Sequence, residues 1–563
     1  MITMTDRKMC RTALLFLLLF LCGGAVFSHP DQKIIYPGDW PYDALTALSL
    51  EQGVLFLSGT PLTVRRFRSM LGEIDEEKLS PGGKQTFEKL REYLDSREFM
   101  SFGTGSLRFE VGALIQPELY LRTNRDLDFM YGNYRRRSFF EVPVSLSFSP
   151  YITMEMDTGV DQTRDAVYRE NNYMNFPYGE TYNFTLPHRA YLSLGLPLPK
   201  SSGLEFRIGI GEDFIGRTRL GSVILSDYMK DLNYSMLSLY SPVLSYSARV
   251  MQLGVNRYLY LHHLEGRFFK RVSFTFVEGV LVNAPLELRF LNPLMVFHSF
   301  GAWNDYDDYN RENDEPDYDN DESRVGSFYG MRVEFQLFRY GRIYGIWALN
   351  ELQTPGERSS DPSARRPDSF AFQGGGEFSL PLAAGRLFFG LEGLYTYPFF
   401  YVSRNERWSF YKPRGGNTGG IEYWTGTPVG PDSAAAALWA GWEAGRLSLS
   451  CSLTFLAQGV RSGAFGKGRI TVFDNYVYHP ARQGGTYQDT LLTSPTGTAA
   501  YTWQIGLSGT WELKKWLILS AHPGYQIIDN FAFVQGERRH GFEIALSARF
   551  LPAELKRLQA DWN

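Results

Sequence analysis

The sequence predicts an all-β protein: a transmembrane, antiparallel, up-and-down β-barrel of about 16–18 strands, preceded by a small N-terminal helical domain. Three observations lead to this prediction: a secretory leader, long alternations of apolar and polar residues, and no later apolar run long enough for a membrane helix. Lipid accepts only helices or closed barrels as spanning structures, because every backbone polar group needs a partner within the protein. We therefore expect the chain in the outer membrane of a diderm bacterium, in contact with outer-membrane lipid.

Residues 1–28 have the layout of a signal peptide. Basic residues between Arg7 and Arg11 precede an apolar run from Ala13 to Leu21, and Ser28 is the small residue at the expected cleavage site. The apolar run is too short to span a bilayer as a helix. Lipidation at Cys22 is the weaker alternative, because a leucine stands before it where a small residue is normally needed.

The composition of the remaining chain excludes several classes of protein. The chain is too long for one ordinary globular core, and Cys451 is its only cysteine, so no intramolecular disulfide can form. The leader takes one acidic and three basic residues from totals of 61 and 57, which leaves 60 and 54. This mild acidity gives no reason to expect nucleic-acid binding. Aromatic residues make up 15% of the sequence, as expected for an extracellular β protein or an outer-membrane barrel.

Residues 29–102 are expected to form the helical domain, either as a plug in the barrel or as a periplasmic cap. Apolar residues recur three and four positions apart in three segments, which is the spacing of one helix face. Gly53 can end the first helix, and Thr60 or Thr63 can cap the second. The apolar positions are Ala44, Leu45 and Leu48, then Phe67, Met70 and Leu71, then Phe87, Leu90 and Leu94.

Residues 103–550 show the alternation of strands whose two faces differ in polarity. The clearest alternations cover 11 to 17 residues, whereas strands of soluble proteins usually have about five or six. A tilted membrane-crossing strand needs about 9–11 residues. The lengths therefore favour a barrel over a soluble β-sandwich. The four clearest segments are 107–121, 140–156, 446–457 and 501–511.

The stretch GFEIALSARF, residues 541–550, is expected to be the closing strand of the barrel. Its alternation ends on Phe550, and a terminal aromatic of this kind resembles the signal read by the barrel-assembly machinery, an expected partner. Such chains usually stop on the aromatic, but here residues 551–563 follow. Pro552 suits a first helical position and the later apolar residues have helical spacing, so we expect a short periplasmic helical tail.

Charged residues on the polar faces of the predicted strands are candidates for a polar lumen. Arg and Glu suit the inside of a membrane barrel better than the interior of a sandwich. Residues two apart on a strand share a face, so Glu265 with Arg267 and Glu205 with Arg207 are spaced as ion pairs. The lumen candidates are Arg108, Glu110, Glu118, Arg122, Glu265 and Arg267.

Residues 304–322 contain ten acidic residues and one base, Arg311, and are expected to form a solvated extracellular loop. A weak, irregular calcium site is the alternative interpretation. An EF-hand would need glycine in place of Glu322 and a bidentate glutamate in place of Phe328, so that motif fails. The candidate ligands are Asp305, Asp307, Asp308, Asp314, Asp317, Asp319 and Asp321.

The sequence contains none of the common catalytic motifs G-x-S-x-G, H-E-x-x-H or a phosphate loop. His298 and Ser299 are adjacent, so on a regular strand they point to opposite faces and cannot form a dyad. His262 and His263 are also adjacent and lack the spacing of metal ligands. We therefore expect no enzymatic activity and no cofactor.

In the predicted order of elements, a helix, a glycine and a short apolar run precede "PLT" at the start of a second helix, and a long barrel follows. Later in the chain come the pieces RYLYLHHLEGRF, LRFLNPLMVFHS, ALNELQTPGE and GLEGLYTYPFFYV. Their pattern and order resemble the Wzi family of capsule-assembly outer-membrane proteins. The resemblance implies a barrel of about 18 strands with helical additions, which holds polysaccharide at the cell surface without chemistry. The segment 47–67 also weakly resembles S-layer homology modules.

Two classes of function remain from the sequence. The first is surface attachment or assembly of capsular or exo-polysaccharide, with the polysaccharide as partner. The second is a porin or uptake channel for small polar solutes, which the strand alternation supports equally well. A plugged or packed lumen would favour the first class, and an open aqueous path would favour the second.

We predict that protease added to intact cells cuts within residues 304–322 while the strands stay protected, because long barrel loops are extracellular and the loop repels itself electrostatically. Millimolar calcium should slow the cleavage only modestly, as expected for an irregular site. Immunoblotting of the fragments measures both effects. Cleavage that appears only after the outer membrane has been permeabilised would show that the loop faces the periplasm and that the predicted orientation is wrong.

Overall fold

The computed structural model is a closed antiparallel β-barrel with a helical domain at one end. Within the described part of the chain, no helix is both long and apolar enough to cross a membrane. The described residues are 29–36, 38, 40–95, 100–104, 106–127, 137–160, 162, 173–178, 182, 187, 189–297, 325–352, 367–383, 385–402, 409–413, 421–462 and 492–551. The predicted leader, the acidic loop 304–322 and all of the predicted tail after Leu551 lie outside these residues.

The helical domain forms where the apolar spacing predicts helices. Gly53 adopts a φ of +70°, which few other residues tolerate, and the first helix stops before it. The Thr63 side chain accepts a hydrogen bond from the Arg66 backbone N–H and caps the second helix. The elements are β1 (Ile34–Ile35), α1 (Trp40–Gln52), β2 (Leu62–Thr63), α2 (Val64–Leu71), a 3-10 turn (Glu76–Lys78) and α3 (Pro81–Asp95), with β1 paired to β2.

The barrel has 18 strand positions, which confirms the predicted fold class. Three short strands, β4 to β6, lie end to end and together occupy one of these positions. Strand β3 pairs with β4 as a hairpin. The first strands are β3 (Met100–Thr104), β4 (Leu107–Val111), β5 (Leu114–Ile115), β6 (Glu118–Arg122), β7 (Phe140–Phe148), β8 (Ile152–Val160), β9 (Arg189–Leu198), β10 (Ser202–Gly211), β11 (Leu232–Tyr240), β12 (Leu244–Gly254), β13 (Arg257–Phe268) and β14 (Val272–Val282).

The second half of the barrel continues with the same antiparallel neighbour pairing. A separate two-stranded sheet, formed by β19 and β20, lies within the connection between β18 and β21. These strands are β15 (Val325–Phe338), β16 (Gly341–Glu351), β17 (Ser369–Leu382), β18 (Gly385–Thr396), β19 (Tyr411–Pro413), β20 (Ile421–Trp424), β21 (Ser433–Ala444), β22 (Leu447–Gln458), β23 (Ala500–Lys514), β24 (Leu517–Asp529) and β25 (Arg538–Phe550).

Strand β25 closes the barrel, as predicted for the stretch 541–550. It pairs with β24 on one side and with β6 on the other, where Glu543 lies opposite Arg122. Closure removes the free sheet edges that lipid would not tolerate. The chain therefore joins its last strand to its first membrane-crossing strand.

The alternation places apolar side chains outside and polar side chains inside. On β23, Trp503, Ile505 and Leu507 are exposed on the outer face, while Thr502 and Gln504, which alternate with them, are buried on the inner face. This matches the pattern of a membrane barrel with a polar interior.

The 17-residue alternation at 140–156 is not one strand. Strands β7 and β8 share it, and residues 149–151 form the turn between them. Proline at position 150 cannot donate a ladder hydrogen bond, which suits a turn. Three turn residues keep the even positions, such as Phe148 and Ile152, on the same outer face, so the sequence pattern does not show the break.

Short turns define one end of the barrel, and the helical domain lies at that end. The Leu55 N–H donates to the carbonyl of Lys270, and the Tyr340 N–H donates to the carbonyl of Leu50. Lys270 and Tyr340 both belong to such turns. Short turns face the periplasm in membrane barrels of this kind. The described residues of these turns are 149–151, 199–201, 241–243, 269–271, 339–340, 383, 445–446 and 515–516.

We predict that Leu438→Arg, in the middle of β21, destabilises the folded barrel by about 2–4 kcal/mol, because it places a charge against lipid. Val534→Arg is the matched control, since Val534 and Leu438 are both 57% exposed but Val534 lies in the longer connection after β24. The temperature at which the heat-resistant electrophoretic form disappears measures both variants. Equal losses in the two would contradict the assigned lipid face.

Candidate functional site

The interior of the barrel is the candidate site, because the predicted lumen residues and several chain segments meet there. Arg108 and Glu110 on β4 are buried on the inner wall and form an ion pair with an N–O distance of 3.0 Å. Alternation places both on one face, two residues apart. Their pairing limits the cost of burying either charge alone.

Glu118 and Arg122 lie on β6, next to the seam where the barrel closes. The Glu118 carboxylate accepts hydrogen bonds from the Gln116 side chain at 3.2 Å and from the Tyr120 hydroxyl. Arg122 forms an ion pair with Glu543 of β25, across the seam. Arg122 therefore stabilises the seam, whereas Glu118 binds residues of β6 and of the chain beside it.

Glu265 and Arg267 do not bind each other as their spacing predicts. The guanidinium of Arg267 donates to the carbonyl of Leu55 and to the carboxylate of Glu73, each at 2.9 Å. Glu265 faces Gly59, where an added Cβ would lie only 2.9 Å from its carboxylate oxygen. Both wall residues therefore contact the helical domain, whose residues supply the partners that the strand pattern could not identify.

Glu205 and Arg207 on β10 form the ion pair that their spacing predicts, at 2.9 Å, and both also hold the helical domain. The Thr63 hydroxyl donates to Glu205 at 2.7 Å, and Arg207 donates to the carbonyl of Pro61 at 2.9 Å. Residues 54–63, which we call the lumen loop, thus extend from the helical domain into the barrel.

The lumen loop meets a second segment that enters from the opposite end. Residues 212–231 connect β10 to β11 at the end of the long connections. The Gly216 N–H donates to the carbonyl of Gly59 at 2.9 Å. Gly216 adopts a φ of +76°, a conformation that favours glycine at this close approach. The two segments together extend through the interior of the barrel.

Polar groups of the inner wall fix residues 212–231 in place. Asp213 pairs with Arg249 of β12 at 2.9 Å, and both side chains are almost fully buried. On the far wall, the carboxylate of Glu392 accepts the backbone N–H groups of Arg219 at 3.0 Å and Leu220 at 2.8 Å. The segment therefore crosses from β10 to β18 inside the barrel.

The described residues between β18 and β21, which are 397–402, 409–413 and 421–432, form a third segment that packs on residues 212–231. The Tyr401 hydroxyl donates to the carbonyl of Val223 at 2.6 Å, and the Thr427 hydroxyl donates to that of Leu220 at 2.7 Å. Trp424 is buried against Tyr401, with ring centroids 5.7 Å apart. Apolar residues of this segment join those of residues 212–231 and of the wall in one core.

Two buried tyrosines outside the strands act as hydrogen-bond donors in this arrangement. Burial raises the pKa of Tyr42 and of Tyr401, so both hydroxyls remain protonated at neutral pH. Tyr42 donates to the carbonyl of Ile35 at 3.1 Å and accepts the Leu62 N–H at 2.7 Å. It thereby joins α1 to β1 and to the end of the lumen loop.

The described residues contain no group of three or more His, Cys, Asp or Glu side chains that could hold a metal ion. The aspartates proposed for calcium lie outside the described part of the chain. The charges instead position the lumen loop and the two entering segments.

The residues of the two entering segments were not predicted from the sequence. The sequence does carry a signal, because short apolar runs occur in these connections between strands: Val223 to Leu225, and Phe399 to Val402. A solvated loop has no reason to carry such runs. They indicate connections that fold into the protein.

No family model and no curated protein sequence gives a significant match. The solved structure of Wzi from Escherichia coli, an outer-membrane protein involved in group 1 capsule assembly and a carbohydrate-binding β-barrel, aligns with a TM-score of 0.57 at 11% identity. The alignment covers 91% of this chain and 98% of that one. The chain has a Wzi-like fold. This agrees with the resemblance seen in the sequence.

Two solved structures of Pseudomonas aeruginosa proteins align less well than Wzi does. OccK11 (OpdR) has a TM-score of 0.36 at 10% identity, over 79% of this chain and 95% of its own. OprD has a TM-score of 0.33 at 9% identity, over 79% and 93%. The chain is an outer-membrane β-barrel by fold.

We predict that Thr63→Val lowers the stability of the docked helical domain by about 1–3 kcal/mol. The change removes both the N-cap of α2 and the hydroxyl that donates to buried Glu205. Thr86→Val is the matched control, since its hydroxyl donates only to the Gly82 carbonyl of its own helix. The rate of proteolysis within residues 40–95, in protein reconstituted with the periplasmic face accessible, measures the effect. Equal rates for Thr63→Val and the wild type would contradict this docking.

Proposed function

We propose that the chain is a non-enzymatic outer-membrane barrel for surface attachment or assembly of capsular or exo-polysaccharide. The observation that carries this proposal is the contact between Gly59 and Gly216, where the lumen loop and residues 212–231 meet inside the barrel. A porin keeps an aqueous channel in this space. Here segments from both ends of the barrel occupy this interior space, which suits a binding or assembly role better than solute passage.

The fold comparison supports the same proposal. Wzi of Escherichia coli is a carbohydrate-binding barrel involved in capsule assembly. The shared fold is a reason to test this chain for polysaccharide binding, and the site would lie at the end of the long connections, which faces the cell exterior.

Exposed aromatic side chains at that end are candidates for polysaccharide contact. Tyr173, Phe176 and Tyr178 lie between β8 and β9 and are all largely exposed. The hydroxyl of Tyr173 accepts a hydrogen bond at 3.0 Å from Arg125, which follows β6. A flat ring beside a guanidinium offers stacking and hydrogen bonding together, which suits sugar rings and acidic sugar substituents.

The second candidate function is a porin or uptake channel for small polar solutes. The charged inner wall favours it, because Arg332, Glu334 and Arg342 line the inside as polar residues line channel lumens. These residues nevertheless bind one another in a chain of ion pairs, with N–O distances of 2.8 Å. Ion pairs of this kind can stabilise the wall even when no solute binds to them.

We predict that purified protein in a planar bilayer shows no stable open-channel conductance, because the described segments occupy the lumen. Cells that lack the protein should release surface polysaccharide into the medium, and the wild-type gene should restore its retention. Single-channel recording and the ratio of cell-bound to released polysaccharide measure the two effects. A steady ion conductance together with normal polysaccharide retention would favour the channel.

The aromatic contact is tested by Tyr173→Ala in the same retention assay, with polysaccharide purified from the source strain as the probe for direct binding. Tyr151→Ala is the matched control, because Tyr151 is similarly exposed but lies in a short turn at the periplasmic end. We expect a loss of binding only for Tyr173→Ala. Equal binding by both variants would exclude this surface.

A further inference from the structure

After β14 ends at Val282, the chain turns back along the outside of the barrel. Residues 285–297, which we call the strap, pack against the outer faces of β12 to β14. Phe290 is buried with its ring centroid 5.1 Å from that of Tyr260, and Phe297 is buried and stacked on His262 at 4.2 Å. The strap is therefore a folded segment that packs on the outside of the barrel wall.

The alternation on β13 shows that the strap lies on the lipid side. His263 and Glu265 face the interior, where His263 lies 3.4 Å from the Ser247 hydroxyl and Glu265 faces Gly59. Tyr260 and His262 must then face outward. Leu264, the next residue on their face, is exposed like other lipid-facing residues. The strap covers positions that would otherwise contact lipid.

The strap reaches the depth of the hydrocarbon. Strand β13 has 12 residues, and His262 is the sixth, near its middle. The apolar band of a membrane barrel is about 25 Å tall, so the middle of a crossing strand lies within it. The contact between Phe297 and His262 thus brings non-strand backbone to a level where water is absent.

Outward-facing tyrosines supply hydrogen-bond partners for the strap backbone. The Tyr246 hydroxyl donates to the carbonyl of Pro293, and the Tyr260 hydroxyl accepts the Glu287 N–H at 3.5 Å. Within the strap, the Asn292 side chain accepts the Leu294 N–H at 3.1 Å. Irregular backbone is tolerated at membrane depth only where its polar groups find such partners.

The side of the strap that faces away from the barrel is mostly apolar, although Asn292 is exposed and Glu287 and Arg289 form a partly exposed ion pair at 2.9 Å. Leu288 is 83% exposed and Leu294 is 87% exposed, and they are among the most exposed large apolar residues of the described chain. Leu286, Leu291 and Val296 are also exposed. The lipid-facing wall adjoins this surface, because exposed Leu264 lies opposite Tyr246 in the strand register and Tyr246 binds the strap at Pro293.

We propose that the strap is inserted in the outer membrane, with Leu288, Leu294 and Val296 in contact with lipid acyl chains. The strap then covers polar groups on the membrane side of the barrel. His262 lies opposite Glu278 in the strand register, and Glu278 is largely buried although it faces outward. A second copy of the chain is the competing occupant of this surface. The proposal is independent of polysaccharide binding.

The experiment uses nitroxide labels on full-length protein reconstituted in liposomes. Cys451→Ser removes the lone cysteine of the mature chain, and Leu288→Cys and Leu294→Cys then place labels on the strap. We expect collisions with oxygen, which concentrates in lipid, to exceed several-fold those with a water-soluble nickel chelate. Val296→Cys replaces either variant that does not form the heat-resistant barrel.

Two matched labels calibrate the accessibility. Leu438→Cys reports the lipid-facing wall, and Val534→Cys reports the water side at the same exposed fraction. Strap labels that behave like the label at 438 support insertion. Labels that behave like the label at 534 would place the strap in water and overturn the proposal. Low collision rates with both reagents, together with dipolar broadening between labels, would overturn it in favour of contact with a second copy.

Discussion

The structure depends on one constraint: in lipid, every backbone N–H and C=O must find its partner within the protein. A sheet satisfies this only if its edges meet, so the chain must pair β25 with β6. The ion pair between Arg122 and Glu543 lies across that seam, on the inner face where charge is tolerated. Closure then creates two surfaces with opposite requirements, an apolar exterior and a polar interior.

The interior requirement explains the segments inside the barrel. A wall that carries buried Arg and Glu must provide each charge with a partner, because an isolated buried charge is costly. The wall pairs some charges with each other, as with Arg108 and Glu110. It pairs other charges with residues of the helical domain, as Arg267 pairs with Glu73. The same charges therefore stabilise the wall and position the helical domain.

Much of the fold could be predicted from the sequence, because strand alternation and helix spacing are local patterns. The outer and inner faces of β23 and the closing strand at 541–550 follow from period-two repeats alone. The break at 149–151 was missed because a three-residue turn keeps the same parity. The two-residue repeat thus predicts reliably which face of a strand a residue occupies, but it predicts poorly where the strand ends.

The contacts of the candidate site could not be predicted, because they join residues remote in sequence. Glu392 binds the backbone at Leu220, 172 positions away, and Arg267 binds Leu55, 212 positions away. A two-residue spacing predicted the partner of Arg207 correctly and that of Arg267 incorrectly, since the second depends on where the helical domain docks. The outward tyrosines of β12 and β13 likewise resemble ordinary lipid-facing aromatics in the sequence, although the strap covers them.

The contact between Gly59 and Gly216 also has a mechanical meaning. One glycine belongs to a loop anchored in the helical domain, and the other to a segment anchored at the end of the barrel with the long connections. A load applied to residues 212–231 would reach the helical domain through this junction. The two sides of the membrane are thus tied by the chain inside the wall as well as by the wall itself.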